Sequence, residues 1–290
     1  KDLLTALTDK ITASEEKLKS QEIGNALYGL QKMNADSKEV KDLLTVLTDK
    51  ITASKEKLSS QAIGNALYGL QKMNADSKEV KDLLTALTDK ITASKEKLSS
   101  QAIGNALYGL QKMNADSKEV KDLLTVLTDK ITASEVELDA QAIGNALYGL
   151  QNMNADSKEV KEILERLSGH ISESNIKESK MELFQACSSL KVINDDDIIN
   201  KFGLKDEIKN LYDNIKKEHC KENQNKFITI DLHGLDHLSM SYFLTEAKDK
   251  KEKIDKIIFG KATHSKDQSN IASDIANKIF PKYKADPDNA

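Results

Sequence analysis

Asp231 and His233 stand two residues apart at the end of the apolar run FITIDLHG (227–234), and Gly260, Lys261, Thr263, His264 and Ser265 close or follow a second run, IDKIIFGK (254–261). A carboxylate beside an imidazole is the pairing that moves a proton at a hydroxyl or a leaving oxygen. A lysine at the same edge stabilises phosphate charge. Asp231, His233, Lys261 and His264 are therefore the candidate catalytic residues. His233 and His237 are spaced i, i+4, a metal-pair spacing on a helix, but His233 falls in the turn before the helix, so no metal set is assigned. A divalent ion stays possible as cofactor. The plain alternative is that Asp231 caps the next helix and His233 is a hydrogen-bonded structural histidine.

The elements that must position these residues follow from the patterns around them. FITIDLHG is β-branched and ends on a glycine turn, as a strand does. Residues 236–252 space Leu238, Tyr242 or Phe243, and Ala247 near helical period. Residues 254–261 form a second strand, and 269–283 return to helix with Ile271, Ile275 and Ile279 on one face. Strand–helix–strand–helix predicts a parallel βαβ unit whose functional groups collect at the strand C-termini. Upstream, 204–226 reads as one helix with Leu204, Ile208, Leu211 and Ile215 on one side.

A different pattern governs the first 160 residues, a 40-residue unit repeated at 1–40, 41–80, 81–120 and 121–160. The second and third copies differ only at Val46 and Ala86. Each unit predicts two helices. Val40, Leu43, Leu44, Leu47 and Ile51 form the apolar face of the first, with Asp36 and Glu39 as a capping box. Ile63, Ala66, Leu67 and Leu70 form that of the second, with Ser59 as its cap. Gly64 and Gly69 each cost helix propensity of about 1 kcal/mol, so their recurrence predicts close helix–helix approach. Positions 15–22 of the unit vary most and predict a solvated loop. Asn65, Tyr68 and Gln71, with their copies, recur unchanged in every unit. Asn25, Asn105 and Asn145 repeat Asn65, and Tyr28, Tyr108 and Tyr148 repeat Tyr68; the tyrosines are either stacking platforms or, more plainly, packed between helices with the hydroxyl at the edge. A fifth, degenerate copy follows, with LFQACSSLKVI (183–193) aligning on IGNALYGLQKM (143–153).

Composition narrows the field. The chain has 290 residues, a net charge of −4, 31% charged residues, no tryptophan, and no proline before Pro281. Such a chain is mainly helical. Net charge is −3 over 1–160 and −1 over the rest, so nucleic-acid binding would need a local basic row and not bulk charge. No apolar run approaches the roughly 20 residues that span a bilayer. Cys187 and Cys220 give no disulfide framework and no CxxC spacing. The expected compartment is intracellular and reducing, cytoplasmic or organellar, with secretion to a host left open. Beginning at Lys1 without a signal-like segment, the chain reads as a fragment.

Two resemblances sharpen these expectations. The pattern LLxxLxxxI…LxxQxIxNxLYGLxxM resembles the octotricopeptide and heptatricopeptide repeats of organellar RNA-binding proteins, over residues 1 to about 195. It implies single-stranded RNA held along a concave α-solenoid, with Asn25, Tyr28, Asn65, Tyr68, Asn105, Tyr108, Asn145 and Tyr148 as the candidate nucleic-acid-binding surface. Ile230-Asp231-Leu232-His233-Gly234-Leu235 resembles the first signature of the Smr (small MutS-related) domain, and Ile257 to Ser265 its second. Phe259 and Ala262 depart from that second signature, and the family's final glycine-rich turn and strand are missing. The Smr resemblance implies a nucleic-acid-binding, often endonucleolytic domain in which Asp231 and His233 are catalytic and Gly260 and Lys261 are candidate nucleic-acid contacts. The expected fold is mainly α: an α-solenoid of two-helix repeats (1–160), a degenerate capping repeat (161–195), a connecting helix (196–225) and a small βαβα Smr-like domain (226–290), C-terminally truncated. The expected function is RNA binding coupled to endonucleolytic cleavage in RNA processing. The alternative is a non-enzymatic interaction protein whose solenoid binds a protein partner and whose Smr domain only binds nucleic acid or is inactive.

Overall fold

The structure is a computed structural model that describes residues 2–154, 156–171, 199, 200, 202–231, 237–258, 276, 279 and 280. It is mainly helical with one small sheet, and the chain divides into two compact units, Lys1–Gly203 and Leu204–Ala290.

In the first unit, helices alternate in length: α1 (Asp2–Ala13), α2 (Ser20–Tyr28), α3 (Lys38–Ala53), α4 (Ser60–Tyr68), α5 (Lys78–Ala93), α6 (Ser100–Tyr108), α7 (Lys118–Ala133), α8 (Ala140–Leu150) and α9 (Lys158–Ser168). Like packs on like from one repeat to the next: α2, α4, α6 and α8 form one row, and α1, α3, α5, α7 and α9 the other. Val40, Leu43, Leu44, Leu47 and Ile51 are all buried, as are Ile63, Ala66, Leu67 and Leu70. In α9, Val160, Ile163, Leu164 and Leu167 repeat the same apolar spacing and are buried, so the long-helix row continues into the fifth copy. The rest of that copy, 172–198, lies outside the described residues.

The glycines do what their recurrence predicts, each against a different neighbour. A Cβ on Gly64 would sit 2.9 Å from Ala102 Cα in the following repeat, and one on Gly69 would sit 2.0 Å from the Leu27 carbonyl oxygen in the preceding one. Every interior short helix is thus held close on both sides.

One local expectation is corrected. The long helices are capped by Ser37, Ser77 and Ser117, whose hydroxyls accept from Val40, Val80 and Val120 N–H at 3.3 Å, and not by Asp36. The variable segment is a loop whose varying positions are mostly exposed, as expected, and it is anchored by residues that do not vary. Its charged positions are exposed, but Leu58, Leu98 and Leu138 are buried, and the Ser54 and Ser94 hydroxyls donate to the Leu18 and Leu58 carbonyls of the preceding repeat at 2.6 Å. The Lys90 ammonium donates to the Ser54 carbonyl in the same way.

In the second unit, α10 (Lys205–His219) leads directly into β1 (Cys220–Glu222), followed by β2 (Ile228–Asp231), α11 (His237–Asp249) and β3 (Ile254–Ile258). The sheet order is β1-β2-β3, with β1 antiparallel and β3 parallel to β2. The parallel strand–helix–strand unit matches its expectation. The single helix over 204–226 does not, because the chain turns at 223–226 and pairs 220–222 with β2. Asn223 Oδ1 accepts the N–H groups of Asn225 and Phe227 at 3.0 and 3.1 Å, and Lys226 takes the left-handed conformation (φ 62°) that tightens the turn. Ile228, Ile230, Phe243, Leu244, Ala247 and Ile254 build the core, and the Tyr212 ring stacks on Phe243 at 5.0 Å.

Candidate functional site

On each short helix, Gln61, Asn65 and Tyr68 fall at i, i+4 and i+7, so they share one face, opposite Ile63, Leu67 and Leu70. The other copies repeat this in register across the row. Among the described residues, none of the eight amides of Gln21, Gln61, Gln101, Gln141, Asn25, Asn65, Asn105 and Asn145 takes part in a hydrogen bond. A side-chain amide carries two donors and an acceptor, so this face presents a regular set of uncommitted groups.

The four tyrosines form a continuous stack. Ring centroids are 5.5 Å apart for Tyr28–Tyr68, 5.3 Å for Tyr68–Tyr108 and 5.4 Å for Tyr108–Tyr148, with planes 15–20° apart. Inserting a base between two rings would need roughly 7 Å, two stacking distances of about 3.4 Å each. Both faces of Tyr68 and Tyr108 are therefore covered by neighbours, leaving edges and hydroxyls to a ligand. Open ring area is concentrated at Tyr28 and Tyr148, which are 40% and 47% exposed. The tyrosines are packed against one another from repeat to repeat.

Four residues beyond three of the tyrosines stand Lys32, Lys72 and Lys112, exposed and without an ion pair among the described residues. Composition alone did not reveal this row, because the overall charge of the array hides it. Lys38, Lys78 and Lys118 differ, since each is bonded to an aspartate one turn on, Asp42, Asp82 and Asp122, which raises its pKa.

In the second unit, Asp231 ends β2 directly opposite Ile258, the last residue of β3. His233, Gly260, Lys261 and His264 lie outside the described residues. One residue that sequence reasoning passed over is brought to this edge. His219, the last residue of α10, has its Nδ1 2.8 Å from the Asp231 carbonyl oxygen. It lies 12 residues away in sequence and in no motif, and only the antiparallel pairing of Cys220 with Ile230 brings it there. Burial pushes the Cys220 thiol up to about 11, outweighing the Lys216 charge that pulls the other way. Beside it, Glu252 accepts from the Tyr212 hydroxyl at 3.0 Å and pairs with the Lys216 ammonium. Burial works to raise the Glu252 pKa, but these two hydrogen bonds and the Lys216 and Lys250 charges hold it below the usual carboxylate range. Among the described residues, no group of three or more His, Cys, Asp or Glu is arranged to hold a metal ion, and no helix is long and apolar enough to cross a membrane.

No family model, no curated protein and no solved structure matches the chain. Fold and geometry together define a repeat protein of stacked helix pairs joined to a small α/β unit.

Proposed function

We propose that this chain is an RNA-binding α-solenoid of octotricopeptide-like repeats joined to an Smr-type endonuclease module, acting in RNA processing in a reducing, intracellular compartment. The observation that carries the reading is the repeated face of uncommitted amides, with a row of unpaired lysines next to it in sequence. Amides pair with base edges, and lysines neutralise phosphates. With the ring faces of Tyr68 and Tyr108 covered, Gln and Asn would read the bases and Tyr would hold the spacing of the row. Because the copies carry the same side chains at these positions, each would select the same base, and the preferred ligand is a near-uniform tract of single-stranded RNA. In the second unit, Asp231 and His233 would activate the attacking oxygen, with Lys261, His264 and Gly260 at the phosphate.

One observation favours a second reading, a non-enzymatic protein with a protein partner: the array is net acidic, and three of its lysine positions are paired with aspartate. Labelled RNA homopolymers and a mixed-sequence RNA, incubated with the chain and with Asp231→Ala/His233→Ala, separate the two. The RNA-processing reading expects one homopolymer to be preferred, binding to weaken steeply with salt through counterion release, and cleavage to vanish in the double variant with binding intact. Absence of binding to every RNA at low salt rejects it.

A further inference from the structure

We infer that His219 is a positioning residue for Asp231, clamping the carboxyl end of β2; this rests on the endonuclease reading above. A carbonyl oxygen can only accept, so the 2.8 Å contact makes Nδ1 of His219 the donor to Asp231. In neutral imidazole this leaves Nε2 unprotonated, and among the described residues Nε2 has no partner. The bond survives protonation of the ring, because Nδ1 carries a proton in both states.

Its place in the sheet explains why a side chain is needed. The ladder between β1 and β2 pairs Cys220 with Ile230 and goes no further, since the chain before Cys220 is already helix. Asp231 would follow as the next rung on β2. His219 occupies that rung and supplies with its ring the hydrogen bond that an extended strand would have supplied with its backbone. The clamp therefore acts on the backbone that aims the Asp231 carboxylate. Misplacing a reacting group by about 1 Å costs up to about 100-fold in rate, so holding this strand end is a kinetic function and not only a stabilising one.

The test uses the full chain and three proteins: wild type, His219→Ala and His219→Asn. The Asn amide nitrogen sits at the same bond distance from Cβ as Nδ1 and restores the donor, but has nothing at the place of Nε2. On a single-stranded RNA substrate, His219→Ala is expected to lower kcat about tenfold or more with KM within about twofold, and His219→Asn to recover to within about threefold of wild type. An unchanged kcat in His219→Ala overturns the inference. So does a loss that Asn fails to rescue, which would make Nε2 the working atom. Imidazole ¹⁵N shifts of wild type read the clamp independently of activity: Nδ1–H in the neutral ring is expected, and Nε2–H overturns it. If wild type cleaves no RNA, the endonuclease reading fails while the ¹⁵N measurement still decides the clamp.

Discussion

At the scale of single residues, the groups that hold the second unit together are electrostatic and few. Glu252 receives a phenol and an ammonium while mostly buried, with its side chain 21% exposed. Hydrogen bonds to a charged group contribute about 1.5–3 kcal/mol, so Glu252→Gln is expected to destabilise this unit by about 1–2 kcal/mol at neutral pH. The pH dependence has a defined sign. A carboxylate held below its ordinary pKa contributes stability that is present above the unfolded-state value, about 4.3, and disappears as pH falls through the lower folded value. Amide exchange on β2 and β3 from pH 7 to pH 3 checks it: the gap between wild type and Glu252→Gln should close as the solution is acidified. The exposed Lys–Asp pairs on the long helices contribute little by comparison, since their lysines are 82–84% exposed and water screens them. On the array, replacing Asn25, Asn65, Asn105 and Asn145 together by Ala removes groups that bond to nothing among the described residues. Thermal stability is therefore expected to hold or rise slightly while RNA affinity falls, which titration and a melting curve on the same protein would show. A large drop in Tm would mean that the amides are structural.

At the scale of elements, one repeat differs from the others for a reason the packing supplies. In repeats two to four, the N–H of the short-helix cap (Ser59, Ser99, Asp139) donates to a serine hydroxyl of the preceding repeat at 2.9–3.1 Å. In the first, the Lys19 N–H donates instead to Glu22 of its own helix at 2.8 Å. Glu22 stands at the position where Ala62, Ala102 and Ala142 touch the glycine of the preceding repeat. Glu22→Ala is expected to cost α2 about 1 kcal/mol, read as faster amide exchange over Ser20–Ile23. The glycines provide a matched pair. Gly109→Ala drives a Cβ to 1.9 Å from the Leu67 carbonyl and is expected to cost about 3 kcal/mol or more, whereas Gly29→Ala meets only its own turn at 3.3 Å and should stay within about 1 kcal/mol. Chemical denaturation of both variants checks this, and equal effects would refute the packing described.

At the scale of the whole molecule, the first unit is a one-dimensional array in which each repeat contacts its neighbours. Its stability should be close to a sum of repeat and interface contributions. Deleting residues 81–120, one whole period, is expected to preserve the fold, lower the unfolding midpoint and shorten the preferred RNA tract by one unit's length. Denaturant melts, together with affinity for homopolymers of graded length, would reveal each effect. An unchanged length preference would argue against one reading unit per repeat.

Much of this architecture was legible in the residues themselves. Helix faces, the Ser59 cap and the two-helix period follow from spacing within one element, where each residue's neighbours three and four positions away are known in advance. The recurring glycines announced close contact, because their helix cost needed a tertiary return. The expected helix over 204–226 failed because its lysine- and glutamate-rich run satisfies a helix locally, while pairing with β2 is set by partners not visible in that run. Three features belong to tertiary structure alone. Stacking of the tyrosines on one another depends on the spacing between repeats that the glycines permit. The free lysine row stands out only once its paired counterparts are placed beside their aspartates. The bond from His219 to Asp231 exists because an antiparallel strand begins where α10 ends. Periodicity reports which side of an element faces inward, and it carries no record of which distant backbone group a side chain will meet there.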